Sequence, residues 1–327
     1  MDELTASDPE RFLPLLDHLG RSAAGPDGEW RDWRITRVAG AGNNLLYRAS
    51  SATLDLAIKF TIRDERDRAG REHAALLALQ QAGLSIAPAP LWLDRDSYTQ
   101  PVVVQRWLAG TVLAAPPAGD DEWQRVLDHY FAIHTLTPSA SSVALPPAVL
   151  NMSSVADGLD RIRQQLAYIP APEQPAALHE LLHNVEAARL PDWPAPRLAL
   201  CRVDPNTLNF VRRPGDWASV DWENSGWGDP AYEIADLITH PAYAGVPAER
   251  WEWMISAYCA RRGDPSAAPR IRVYHRLMLI WWVARLARTL YEVPRGGDQR
   301  LVTRPAGWME DMRAKYESYL DLARAAV

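Results

Sequence analysis

Short alternations of apolar and polar positions fill the first hundred residues and give way to helical periodicity beyond them. Residues 33–38, 45–49 and 54–62, the last alternating through Leu56, Ile58 and Phe60, read as consecutive antiparallel strands. Between the first two lies Ala39-Gly-Ala-Gly-Asn-Asn44, a cluster of turn formers. The charged, Ala/Leu-rich segment 64–82 carries an apolar face through Ala74, Ala75, Leu76, Leu77, Ala78 and Leu79 and stops at Gly83, which predicts a helix. Residues 90–93 and 102–108, on either side of a polar turn at Asp94-Arg-Asp-Ser97, predict another hairpin, and Gly110 closes the region. An amphipathic pattern through Phe12, Leu13, Leu15, Leu16 and Leu19 predicts a helix laid on these strands.

From there the pattern predicts helices over 122–136, 155–169, 175–189, 230–240, 248–261, 268–291 and 307–326. The only β-like interruption is 198–220, where apolar runs at 198–200, 208–211 and 218–220 surround a turn at Arg213-Pro-Gly-Asp216 and read as two short strands joined by a hairpin. A strand-rich region with one helix, followed by a helical region holding a small hairpin, is an α+β arrangement. At 327 residues the chain exceeds the usual size of one hydrophobic core, so two lobes are expected.

Composition narrows the function classes. A formal net charge of −6 and the lack of any Lys/Arg block argue against nucleic acid as a partner. The most apolar stretch, 277–287, is too short to cross a bilayer and contains Arg285, so no membrane span is expected. Cys201 and Cys259 have no metal-type spacing, and the acidic start Met1-Asp-Glu-Leu-Thr5 lacks the features of a signal peptide, so a reducing cytoplasm is the expected compartment.

The candidate chemistry gathers in two places. Gly40 and Gly42 lie between two strands, where backbone amides can cover phosphates, although a plain glycine-rich turn is as common. The dinucleotide and Walker fingerprints are both missing. Lys59, in the strand Leu56-Ala-Ile-Lys-Phe60, and Glu72, on the following helix, can form the strand-lysine and helix-glutamate pair that orients a lysine toward an anionic ligand. Further on, Asp204 is followed five residues later by Asn209, and a second strand ends in Asp221. By itself the first spacing is also that of an Asx turn. Together the three place a proton-accepting carboxylate beside an amide and a carboxylate suited to magnesium, all expected within a single hairpin.

The run Asp204-Pro-Asn-Thr-Leu-Asn209, followed by Val220-Asp-Trp-Glu-Asn-Ser-Gly-Trp-Gly-Asp-Pro-Ala-Tyr-Glu-Ile-Ala-Asp236, resembles the signature of the aminoglycoside phosphotransferase and choline kinase-like family. These are small-molecule kinases with a protein-kinase-like fold, and the resemblance extends over nearly the whole chain. It implies a small β-rich nucleotide-binding lobe over residues 1–108 and a helical lobe over 109–327 that holds the catalytic hairpin and the acceptor site. It also implies Asp204 as the catalytic aspartate and Asn209 and Asp221 as magnesium ligands. Lys59 paired with Glu72 would contact the nucleotide phosphates, covered by the turn of Gly40, Gly42 and Asn43. Gln105 and Trp107 would lie in the segment between lobes whose backbone receives the adenine. Asp229, with Pro230, is expected to cap a helix.

The implied activity is Mg2+-dependent transfer of the γ-phosphate of ATP or GTP to a hydroxyl of an aminoglycoside-like antibiotic, an amino alcohol or a sugar, by a monomer or homodimer. One departure stands out: Arg202 and Val203 occupy positions where the family usually has His and often Gly. A non-catalytic nucleotide-binding pseudokinase is the alternative that this departure favours, and the intact Lys59, Asp204, Asn209 and Asp221 set weighs against it. The chain has 14 Trp, and Trp222, Trp227, Trp281, Trp282 and Trp308 could stack on an acceptor or simply pack the core, while Glu223, Glu233 and Asp236 could attract a polycation, Glu233 and Asp236 equally serving helix capping and packing.

Overall fold

A computed structural model of the chain describes residues 9–21, 27–39, 44–297 and 300–327. The first region is an antiparallel sheet built from β1 (Gly28–Trp30), β2 (Trp33–Arg37), β3 (Asn44–Ser50), β4 (Asp55–Thr61), β5 (Pro90–Asp94) and β6 (Val102–Arg106), in the order β1-β2-β3-β4-β6-β5. Side chains alternate between the two faces of a strand, so Leu56, Ile58 and Phe60 of β4 share one face. They pack there with Tyr47, Ala49, Val102 and Val104 under the apolar side of α1 (Leu13–Arg21), which supplies Leu15, Leu16 and Leu19. Lys59 has the opposite parity and faces the side covered by α2 (Arg68–Gln81), which is why β4 is buried on both faces.

Helix α2 begins at Arg68, four residues after the start that its composition predicts. Asp64 accepts the Arg66 N–H (3.1 Å), and Asp67, in the left-handed region at φ 49°, accepts the Gly70 N–H (3.2 Å). Short acidic side chains that bond nearby backbone amides favour caps over helix interiors, and these two hold the chain out of the helix until Arg68.

The second region contains α3 (Asp120–His134), α4 (Val155–Leu166), α5 (Ala176–Ala187), α6 (Pro230–Thr239), α7 (Ala248–Arg262), α8 (Ala267–Glu292) and α9 (Trp308–Ala326). The long α8 runs through the core and packs against the other helices from α4 onward. Three short strands appear where no periodicity predicts them. Besides β1 these are β7 (Thr111–Val112), which pairs with β9 (Phe210–Arg212), and β11 (Gly226–Gly228), which pairs with β8 (Ala199–Cys201). Two or three residues are too few to show a period of two. The expected hairpin is present as β9 and β10 (Trp217–Ser219).

The Gly226-Trp-Gly228 sequence has a packing cause. A Cβ on Gly226 would lie 2.2 Å from the Pro146 carbonyl oxygen, and one on Gly228 would lie 2.3 Å from Asn151 Nδ2. Only glycine lets β11 approach the 146–151 segment this closely.

A third buried cluster joins the two regions. Ala75, Leu76, Ala78 and Leu79 of α2 pack with Ile133, Leu136, Leu200 and Trp222, so the helix that carries Glu72 rests on the stretch that carries Asp204 and Asp221. No helix among the described residues is long and apolar enough to cross a membrane.

Candidate active site

Lys59 is buried at the centre of the sheet face beneath α2, and three carboxylates converge on it. Its Nζ lies 2.7 Å from Glu72 Oε2 and 3.3 Å from Glu223 Oε2, and it also donates to Asp221 Oδ1. The pair expected from a strand lysine followed by a helix glutamate is therefore formed. Burial by itself would lower the lysine's pKa, but Asp221, Glu72 and Glu223 outweigh it and hold the ammonium well above its ordinary value. The carboxylates share one lysine, and the cost shows on them. Burial pushes Glu72 up to about 7 against the pull of Lys59, and it pushes Asp221 up to about 6, with Glu223 and Asp204 adding to the rise. Glu72 Oε1 is buried with no hydrogen-bond partner among the described residues.

Glu223 departs from the sequence-based expectation. It is not offered to an incoming polycation: it is buried, accepts from Asn44 Nδ2 (2.8 Å) and pairs with Arg68, which also binds Asp64 (2.8 Å). Burial opposes its ionisation, but Lys59 and Arg68 prevail and hold its carboxyl below the usual range. Glu223, Arg68 and Asn44 are the site residues that sequence reasoning missed. The one local signal is the second acid two positions after Asp221.

Asp204 does not lie inside the β9–β10 hairpin. It sits on the loop ahead of it, while Asn209 immediately precedes β9 and Asp221 follows β10. The hairpin ends are tied together by the Val220 N–H, which donates to the Asn209 carbonyl (2.9 Å). The Asp204 loop is held from below by Glu233 of α6, whose Oε1 accepts the N–H groups of Arg202 (2.6 Å) and Val203 (2.9 Å). Glu233 Oε2 meets His134 Nε2 at 2.7 Å, and the Tyr258 hydroxyl meets His134 Nδ1 at 3.0 Å. A carboxylate can only accept, so Nε2 carries the proton and Nδ1 accepts from the tyrosine.

Val203 has φ 54° and Asp221 φ 63°. For a β-branched residue the left-handed region is strained at a cost of about 1–3 kcal/mol, which the two bonds to Glu233 help to offset. Burial raises the Asp204 carboxyl above its ordinary value, and Arg202 and the Asn206 N–H (3.2 Å) oppose that rise.

The oxygen set suits a hard divalent cation. Ligand oxygens of Glu72, Asp221 and Glu223 lie within 4.8 Å of one another around Lys59, burial with Glu223 and Asp204 raises the Asp221 pKa against the pull of that lysine, and the buried Asn209, tied to Val220 beside Asp221, would offer its Oδ1. Of the remaining expected residues, Gln105 is buried on β6. Trp107 has its N–H bonded to the Asp55 carbonyl (2.8 Å) and its ring covered by Arg48, so that amide is not open to a ligand. Gly40, Gly42 and Asn43 lie outside the described residues. Asp229 caps α6 as expected, accepting the Ala231 N–H (3.0 Å), and it also binds Arg270 (2.9 Å) and the Tyr274 hydroxyl (2.9 Å). Trp222 and Trp281 are core residues, whereas Trp282 stacks on Tyr319 at a centroid distance of 5.4 Å.

A family model described as "Phosphotransferase enzyme family" matches residues 34–277. No curated protein sequence matches the chain significantly. Among solved structures, a choline/ethanolamine kinase family protein from Mesorhizobium loti is 20% identical with a TM-score of 0.62, over 96% of this chain and 93% of that one. Plasmodium vivax ethanolamine kinase is 15% identical with a TM-score of 0.60, over 91% and 84%. A spectinomycin phosphotransferase solved with ADP and spectinomycin is 12% identical with a TM-score of 0.60, over 90% and 93%. These likenesses are of fold, and they make the α+β arrangement a two-lobed, protein-kinase-like one.

Proposed function

We propose that this chain, which belongs to the phosphotransferase enzyme family, moves the γ-phosphoryl group of ATP or GTP to a hydroxyl of a small-molecule acceptor. The observation that carries the reading is Lys59, held by Glu72 and reaching Asp221 from the other lobe. A lysine placed in this way presents a fixed positive charge to a polyphosphate and ties its position to the groups that act on it. Residues 1–108 would form the nucleotide lobe and 109–327 the acceptor lobe, with backbone groups around Gln105 and Trp107 other than the occupied Trp107 N–H against the base and the turn of Gly40, Gly42 and Asn43 over the phosphates.

In the transfer, the acceptor oxygen bonds to the γ-phosphorus as the bond to the β–γ bridging oxygen breaks. The acceptor's proton passes to Asp204, and the nucleoside diphosphate leaves. Burial raises the basicity of Asp204, the direction that favours this role. Asn209 and Asp221 would hold Mg2+, which when bound neutralises phosphate charge. Lys59 shares that task, and Glu72 keeps the lysine aimed. An amine-bearing alcohol, an aminoglycoside-like antibiotic or a sugar is the acceptor class that accords with the matched folds.

Phosphate transfer to a panel of these acceptors, with ATP and GTP in turn, tests the reading. Asp204→Ala should lower kcat by about 10²–10⁴-fold with the fold intact. Unchanged turnover in that variant would remove Asp204 from the chemistry. Thermal stabilisation by nucleotide with no transfer to any acceptor would identify a nucleotide-binding pseudokinase instead.

A further inference from the structure

Arg202 is among the largest fully buried side chains in the molecule, and it is poorly paired. Only Nη1 donates a hydrogen bond, to the Val220 carbonyl at 3.3 Å; Nε and Nη2 are buried without a partner among the described residues. The guanidinium lies over the Phe210 ring, with Cζ 4.9 Å from the centroid. Phe210 directly follows Asn209, and Val220 directly precedes Asp221. One planar cation therefore touches both ends of the β9–β10 hairpin while its own backbone, held by Glu233, leads two residues on into Asp204.

A buried charge costs several kcal/mol unless its surroundings compensate; here the charges of Asp204 and Asp236 face the guanidinium, while its direct contacts are one long hydrogen bond and one ring, both on the hairpin. Tyr130 also packs on Phe210, with ring centroids 6.2 Å apart, so the guanidinium shares that ring with an aromatic neighbour. What an arginine supplies and an apolar residue does not is a rigid fork and plate that fixes three backbone segments at once.

We propose that Arg202 is a positioning residue that clamps the Asp204 loop to both ends of the β9–β10 hairpin and so sets the spacing between Asp204 and the pair Asn209 and Asp221. The proposal rests on the phosphotransferase reading above. Its effect belongs to the transfer step, because a shift of about 1 Å in a reacting group is enough to cost on the order of 100-fold in rate.

Arg202→Met and Arg202→Lys, compared in melting temperature, kcat and the KM values for nucleotide and acceptor, provide the test. Arg202→Met should melt at or above the temperature of the parent, lose about 10-fold or more in kcat, and keep both KM values within about twofold. Arg202→Lys, which keeps the charge but not the flat fork, should fall between them in kcat. A marked loss of melting temperature or failure to fold in Arg202→Met would make the residue part of the scaffold and overturn the proposal. So would a parental kcat, or a loss confined to KM. The Asp204→Ala variant separates the two levels: if it still transfers phosphate, the reading of the site fails; if it is dead while Arg202→Met turns over normally, only the clamp fails.

Discussion

Glu72 and Glu233 are buried glutamates on helices that reach the same cleft from different lobes, and they are bonded in opposite ways. Glu72 spends one oxygen on Lys59 and leaves the other without a partner, in company with two more carboxylates that want the same lysine. Glu233 has both oxygens engaged, one by two backbone amides and the other by His134. The first arrangement is short of positive charge and gains from any cation that enters. The second is complete and serves geometry, holding a strained Val203 and the loop that leads to Asp204. A site that must exchange phosphate charge at one end and keep a proton acceptor still at the other needs both kinds of glutamate.

The contrast can be broken at three points. Lys59→Met would leave Glu72, Asp221 and Glu223 facing one another without their shared cation, and a loss of about 3–5 kcal/mol is expected in chemical denaturation. Added Mg2+ should recover part of it, because the same oxygens would then have a cation; no recovery would count against the cation-poor description. Glu233→Gln keeps the shape but replaces one accepting oxygen with a donor, so at least one partner loses its bond. The expected cost is about 1–3 kcal/mol, with kcat falling while nucleotide affinity, read by titration, stays near the parent value.

Taken per pH unit, the smallest effect is one of pH. Glu72 and Asp221 are raised to about 7 and about 6, so between pH 7 and about 4 the folded chain binds more protons than the unfolded one. Without metal, these groups should make the fold more stable as pH falls through that window and less stable as it rises, by on the order of 1–2 kcal/mol per pH unit. Mg2+ should act in the other sense, its stabilising effect fading as Asp221 takes up a proton below about pH 6. Melting curves of the parent and Glu72→Gln across this range check both signs, and the variant should show the smaller slope.

Much of this was legible in the sequence, for reasons that can be stated residue by residue. Lys59 and Glu72 could be paired because glycine turn, strand lysine and helix glutamate follow one another in order, on elements that are neighbours in the chain. Asp204, Asn209 and Asp221 could be grouped because the turns between them are short. Glu223 could not be assigned, since its partners Asn44 and Arg68 lie 179 and 155 residues away and meet it only once the lobes have packed. The bonds from Glu233 to Arg202 and Val203 likewise depend on where α6 docks, which no local pattern records. The positions that read as departures, Arg202 and Val203, turn out to be the ones most tightly held by that docking.

The seating of α2 on Leu200 and Trp222 has a mechanical consequence. The helix packs on its own sheet through β4, β5 and β6 and also rests on Leu200 and Trp222, so it is gripped by both lobes. A displacement of one lobe against the other would therefore load α2 from both sides, and with it the Glu72 carboxylate that holds Lys59. On the proposed reading α2 acts as the strut that keeps the lysine aimed while a polyphosphate is held.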